Sequence, residues 1–163
     1  MKPFKRNFSN LFFLLIFFLF QNVQSFENSI IVRVGNQIIT SFELENKIKS
    51  VLFLNNDELT QENINKVKNI SLKTLIDLKL KKEELIKYKF KLDEVVVNSH
   101  LEKLSNSLQI EKKSLENLFS SNGIDYNQYL EDIEIELSWQ RLIYALYKKE
   151  IKLEESQILD DLN

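Results

Sequence analysis

Cysteine is absent from all 163 residues, proline occurs once and glycine twice. Without cysteine there is no disulfide and no thiolate, which excludes a stapled scaffold and a thiol nucleophile. The proline is Pro3 and the glycines are Gly35 and Gly123, so almost nothing interrupts the rest of the chain. Such scarcity of breakers favours long helices over the many tight turns of a sandwich or barrel. Histidine is nearly missing as well: His100 is the only imidazole, so no His/Cys set exists to share a metal. It falls beside the apolar spacing Val97, Leu101 and Leu104, which reads as a boundary histidine rather than a general base. Two isolated glycines make no phosphate cradle. The paired acids Glu131-Asp132 and Asp160-Asp161 lack the spacing of a calcium loop. This inventory predicts a protein that is not an enzyme and holds no cofactor and no metal.

What is present begins with Lys2, Lys5 and Arg6, followed by an unbroken apolar run from Leu11 to Phe20. That order is a secretory leader. The run has ten residues, and a helix needs roughly 20 apolar residues to cross the hydrocarbon core. Val23 and Ser25 occupy the small-residue positions three and one before a cut, so cleavage is predicted between Ser25 and Phe26. Residues 1–25 are then a cleavable signal peptide, residues 26–163 the exported domain, and no membrane span remains after cleavage; an uncleaved anchor is the alternative.

The leader carries three basic residues and no acid, so 22 basic against 24 acidic residues become 19 against 24 after cleavage. A mildly acidic chain with lysine and glutamate interspersed is not built to displace counterions from nucleic acid. Seven of the twelve phenylalanines also leave with the leader, so the core must rest mainly on Leu, Ile and Val. The remaining 138 residues are one domain long, able to bury about two-thirds of their unfolded surface without staples.

Two short β-branched runs within Ser29–Thr40, joined by Gly35-Asn36, predict a β-hairpin. Helix follows at once, because Thr40 and Glu43 have capping-box spacing and Ile39 can staple onto Leu44. Leu44, Ile48, Val51 and Leu52 line its inner face. Asn55 to Leu59 reads as a linker, and Thr60 caps a second helix running to about Lys89. There Ile64, Val67, Leu75, Leu78 and Leu85 make one stripe and Leu72, Ile76 and Leu80 a second, predicting packing on two sides. A third helix starts at Asp93 with Val97, Leu101, Leu104 and Leu108, and a fourth covers Glu111 to Ser121 with Leu115, Leu118 and Phe119 inward. Asn122-Gly123 ends it. Asp125 and Gln128 open the longest helix, with Tyr129, Leu130, Ile133, Leu137 and Tyr144 on one face. Beyond it, Ile151 to Leu153 is expected to be extended and Glu154 to begin a new helix. The fold class is mainly α, an N-terminal β-hairpin followed by a bundle of about five helices.

The order of these elements resembles the N-terminal domain of SurA-type periplasmic chaperones. The stretch Ile31-Val32-Arg33-Val34-Gly35-Asn36-Gln37-Ile38-Ile39-Thr40-Ser41-Phe42-Glu43-Leu44 is similar to the opening hairpin and first helix of that family. Leu75-Ile76-Asp77-Leu78-Lys79-Leu80 resembles its second-helix segment, and Lys91-Leu92-Asp93-Glu94 the entry to its third helix. Gly123-Ile124-Asp125-Tyr126-Asn127-Gln128-Tyr129 resembles the "G-x-x-Y-x-x-Y/F" start of its long helix. The resemblance runs from about residue 27 onward and lies in the collinearity of pieces that are individually ordinary. It implies a periplasmic, ATP-independent chaperone binding unfolded outer-membrane protein segments. Family members continue into parvulin-type prolyl isomerase domains and a returning C-terminal segment. This chain is expected to lack the isomerase; the alternative is that it is a truncated piece of one.

Trp139, Ile143, Tyr144, Leu146 and Tyr147 near the end of the long helix are the candidate client-binding residues. Aromatic residues at helical spacing are most often core, but apolar surface left open marks an interaction site. Homo-oligomerisation, or a separate partner, is the alternative occupant of that surface. The hairpin edge offers a second route, through unpaired strand N–H and C=O groups.

Overall fold

The computed structural model describes residues 28–148. The expected leader with its Ser25–Phe26 cut, and the expected elements after Ile151, lie outside the described residues. The chain is mainly helical, a two-stranded antiparallel hairpin followed by five helices.

Strands β1 (Ile30–Val34) and β2 (Gln37–Thr40) turn at Gly35-Asn36, with Gly35 in the left-handed region at φ +56°. A Cβ built there would sit 2.6 Å from Glu83 Oε1, so a side chain at this position would also push the flexible Glu83 carboxylate aside. The hairpin rests on the second helix: the Asn36 N–H donates to Glu83 at 3.4 Å and Gln37 Nε2 donates to the Lys79 carbonyl at 3.0 Å. A register shift between Ile30 and Val32 leaves Ile31 in a bulge.

Helix α1 (Ser41–Leu54) starts with the expected reciprocal cap. Glu43 N–H donates to Thr40 Oγ1 at 3.2 Å, and Thr40 N–H donates to Glu43 Oε2 at 2.8 Å. Lys79 adds an ion pair to Glu43 at 2.6 Å. Burial pushes the Glu43 carboxyl up, but Lys79 and the Thr40 donors outweigh it and hold it below its ordinary value.

Helix α2 (Gln61–Lys87) begins where Thr60 accepts from the Asn63 N–H at 3.2 Å. Leu75 and Leu78 join Val34, Ile39, Leu44, Ile48 and Leu52 in the first core, which holds both members of the expected Ile39–Leu44 staple. The second expected stripe is only partly inward. Leu72 and Ile76 pack on this core, whereas Leu80 is 48 % exposed, because each four-residue step turns the row about 40° around the helix and carries it off the core face.

Ser71 lies inside α2 at 1 % exposure with its hydroxyl unpartnered. Removing an unmet buried polar atom relieves its desolvation cost, so Ser71→Ala is expected to raise stability by about 1 kcal/mol, read as a higher urea midpoint at unchanged slope. A lower midpoint would mean that the hydroxyl has a partner in solution.

Helix α3 (Glu94–Ser107) is capped by Asp93, which accepts from the Val95 N–H at 2.9 Å. The expected fourth helix is divided. Lys112–Ser114 form a 3-10 turn, and α4 (Leu115–Ser121) follows. Helix α5 (Tyr126–Tyr147) completes the bundle. Leu101, Leu115, Phe119, Ile124 and Tyr129 make a second core, in which the Phe119 ring lies 4.5 to 5.5 Å from those of Phe53, Tyr126 and Tyr129.

The two cores are joined through α1 and α5. Asn46, 5 % exposed, accepts from the Asp125 N–H at 2.6 Å and donates to the Asp125 carbonyl at 3.3 Å. The expected capping box of α5 is therefore half formed: Asp125 does accept from the Gln128 N–H at 3.0 Å, but its own N–H goes to Asn46. Lys47 pairs with Asp132 at 2.9 Å, and Lys81 and Lys82 on α2 pair with Glu136 and Glu131 on α5.

Candidate functional site

Helices α3 and α5 each bury only a few of their side chains. Among the described residues α3 contributes only Leu101 and Ser105 to the buried set. Its other apolar positions face partly open space, and two grooves run beside it.

The first groove, about 570 Å³, lies between α1 and α3 with α5 as its floor. Val51 and Leu54 come from α1, Leu104 from α3, and Tyr129 and Ile133 from α5. Its lining is predominantly apolar. The second, about 430 Å³, lies between α3 and the middle of α5, lined by Val95, Val96, Leu137 and Arg141 among others. His100 and Lys103 line both grooves, so the two meet at these side chains. Val95 is 69 % exposed at the mouth of the second.

Helical spacing continues this track toward the end of α5. Ile133, Leu137, Gln140, Tyr144 and Tyr147 follow one another at intervals of four, three, four and three, one stripe of the helix. Tyr144 and Tyr147 are 59 % and 50 % exposed. From Tyr129 to Tyr147 the stripe is about 27 Å long at 1.5 Å per residue, which an extended segment of about eight residues would span.

The five residues singled out from the sequence are thus divided. Tyr144 and Tyr147 lie on the groove stripe and outside it in solvent. Trp139 and Leu146 follow Ile135 on a second stripe, and Ile135 packs on the first core. Trp139 and Ile143 are half-buried, and Leu146 is exposed. Tyr144, grouped above with Tyr129 and Ile133 on one face, is exposed at this end, where Leu142, 4 % exposed, takes the buried position. The sequence reading named the end of α5 alone; the grooves add Val51, Val95, Leu104 and Lys103 as candidates. Their signal was present in α3, whose apolar residues Val95, Val96 and Val97 are consecutive and cannot all face one core.

The electrostatics of the grooves are lopsided. Burial, with Lys103 one turn away, pushes His100 below its ordinary value. Tyr129, on the floor, is pushed up to about 12 by burial and stays a neutral phenol. Lys47 reaches the first groove but is held by Asp132. Burial raises the Asp132 carboxyl above its ordinary value even with Lys47 beside it.

The other depressions are polar. One of about 350 Å³ lies between the α1–α2 connection and Asn122, and one of about 610 Å³ between the hairpin and the start of α5. The second borders β2 and the first turn of α1, where Ile38 and Phe42 are 36 % and 49 % exposed. Among the described residues no cluster of three or more His or carboxylate side chains is placed to hold a metal ion, and no helix is long and apolar enough to cross a membrane. Glu131 and Asp132 are each engaged by a lysine, and Asp160 and Asp161 lie outside the described residues. No protein-family model matches the chain, and neither does any curated protein or solved structure.

Proposed function

We propose that this chain is an ATP-independent holdase of the cell envelope, a periplasmic chaperone-like domain that shields unfolded outer-membrane protein segments. The observation that carries this reading is the open apolar track along α3 and α5, ending on the exposed rings of Tyr144 and Tyr147. Contiguous open apolar surface on a single domain marks an interaction site. A chain destined for a barrel exposes alternating apolar side chains before its strands pair, and such a track suits them. One aromatic side chain entering an apolar slot contributes on the order of 2 to 3 kcal/mol before ordering costs. A few such contacts give micromolar, tolerant binding. The reading asks for capture and release and for no bond-making group.

The test is aggregation. Residues 26–163, mixed at stoichiometric ratio with a barrel protein diluted from denaturant, are expected to lower the light scattering of the client. The double variant Tyr144→Ser/Tyr147→Ser, altered only at exposed positions, is expected to need about five- to tenfold more protein for the same effect. Undiminished aggregation with the unaltered protein would remove the holdase role.

Self-association is the second reading, and the grouping of Tyr144, Leu146 and Tyr147 on the outside of one helix end favours it. Light scattering across a concentration series distinguishes the two, since a tight dimer at all concentrations covers the aromatic end.

A further inference from the structure

The groove reading leaves its polar content unexplained, and that content has one sign. Where the two grooves meet stand His100 and Lys103, with Arg141 on the wall of the second. Most of the acids that could balance them are engaged elsewhere, Glu134 on α5 being exposed and without an ion-pair partner among the described residues. Asp132 holds Lys47, Glu131 and Glu136 hold Lys82 and Lys81 of α2, and Glu102 turns to Lys112 of the 3-10 turn at 3.4 Å. Among the described residues Lys103 and Arg141 have no carboxylate partner. An acidic chain has therefore placed an unpaired lysine, Lys103, where its two grooves meet and an unpaired arginine, Arg141, on the wall of the second.

A purely apolar occupant would cover these cations and return nothing for their lost water, which is unfavourable. A polyanion would meet the charge but not the apolar walls, and a few cations displace too few counterions to hold nucleic acid. One chemistry answers both surfaces. We propose that the groove selects extended segments in which a carboxylate lies beside apolar side chains, the carboxylate seated between His100 and Lys103 and the apolar neighbours on Leu104, Ile133 and Leu137. This rests on the groove being the client site, and it adds a charge preference that the holdase reading lacks.

The preference carries a pH dependence with a definite sign. His100 is faced by Lys103 on its own helix, Lys47 across the groove on α1 and Arg141 on α5, while Asp132 is taken by Lys47 and Glu102 by Lys112. In the free protein burial and Lys103 hold the imidazole below its ordinary value, so it is neutral near pH 7. A seated carboxylate favours the imidazolium and raises that value. Binding then takes up a proton, and affinity rises as pH falls through the raised value. The ligand carboxylate stays ionised throughout, since its own range lies near pH 4.

Two labelled peptides of about eight residues test this, identical in their apolar residues and differing by one central Glu→Gln exchange. They are titrated against the chain purified from cells that express its whole sequence, with fluorescence anisotropy as the readout. The Glu peptide is expected to bind about fivefold tighter at neutral pH, the ratio growing between about pH 8 and pH 6. His100→Gln should flatten that growth, and Lys103→Glu, at an exposed position that folding does not use, should bring the ratio to one or below. Equal binding of the two peptides at pH 6, or equal displacement of the Glu peptide by a single-stranded oligonucleotide, would overturn the charge preference. Failure of both peptides to bind would instead overturn the groove itself.

Discussion

Phe119→Ala is expected to lower the stability of the protein by about 4 kcal/mol, the largest loss of any single truncation in the bundle. The side chain has no exposed surface, and three aromatic rings lie within 5.5 Å of its own. Truncation removes the transfer free energy of the ring and leaves a cavity whose walls are held on three sides, by α1 through Phe53 and by α5 through Tyr126 and Tyr129. Edge-on ring contacts worth about 1 kcal/mol each go with it. Tyr129 belongs both to this ring cluster and to the groove floor, so the variant should also blunt client capture. Urea unfolding monitored by circular dichroism measures the loss. A value below about 1.5 kcal/mol would show that the second core can collapse around the gap.

Lys47→Met is expected to cost about 3 kcal/mol near neutral pH and much less in acid. The Lys47 and Asp132 side chains are 16 % and 13 % exposed, so removing the lysine strands a buried carboxylate. Asp132 is already raised above its ordinary value by burial, with Lys47 opposing that trend. The sign follows. A carboxyl whose folded value exceeds its unfolded value binds more protons when folded, so its ionisation weakens the fold as pH rises through that interval. Without Lys47 the interval widens upward, and the penalty vanishes once the carboxyl is protonated. Glu43 acts the other way, because its depressed value makes it stabilising above the ordinary carboxylate range and less so in acid. Comparing variant and unaltered protein at the same pH cancels Glu43. The measurement is the stability difference at about pH 7.5 and about pH 4. An equal loss at both would locate the cost in the packing of the lysine stem. The double variant Lys47→Met/Asp132→Leu is expected to recover most of the stability, as replaced ion pairs usually do.

Much of the architecture was legible because the local signals agree with the packing. Thr40, Thr60, Asp93 and Asp125 each cap the helix that their spacing announces. The hairpin follows from Gly35-Asn36 between β-branched runs. The helix ends were harder. A chain with two glycines closes four helices with the same backbone motif, in which the third residue past the end donates five positions back: Asp57 to Leu52, Phe90 to Leu85, Ile110 to Ser105 and Ile124 to Phe119. Only the last uses glycine. Asn56, Lys89 and Gln109 take the left-handed conformation in the other three, and lysine or glutamine in that role has no sequence signature. The groove was illegible for a different reason. Periodicity reports which residues of a helix are apolar, not which neighbour arrives to cover them. Leu142 and Tyr144 are both apolar and two positions apart, and only the approach of the other helices decides that the first is buried.

Asn46 has a consequence for which side chains its position admits. It meets the two opposite poles of one peptide unit's residue, the hydrogen of Asp125 and its oxygen, across 79 positions of chain. An aspartate there would set negative oxygen against carbonyl oxygen; a leucine would leave both backbone groups dry; a glutamine carries the right atoms on a stem one carbon too long. The short carboxamide alone offers a donor and an acceptor at that reach, so a residue that looks like an ordinary polar member of a helix dictates how the two halves of the molecule are aligned.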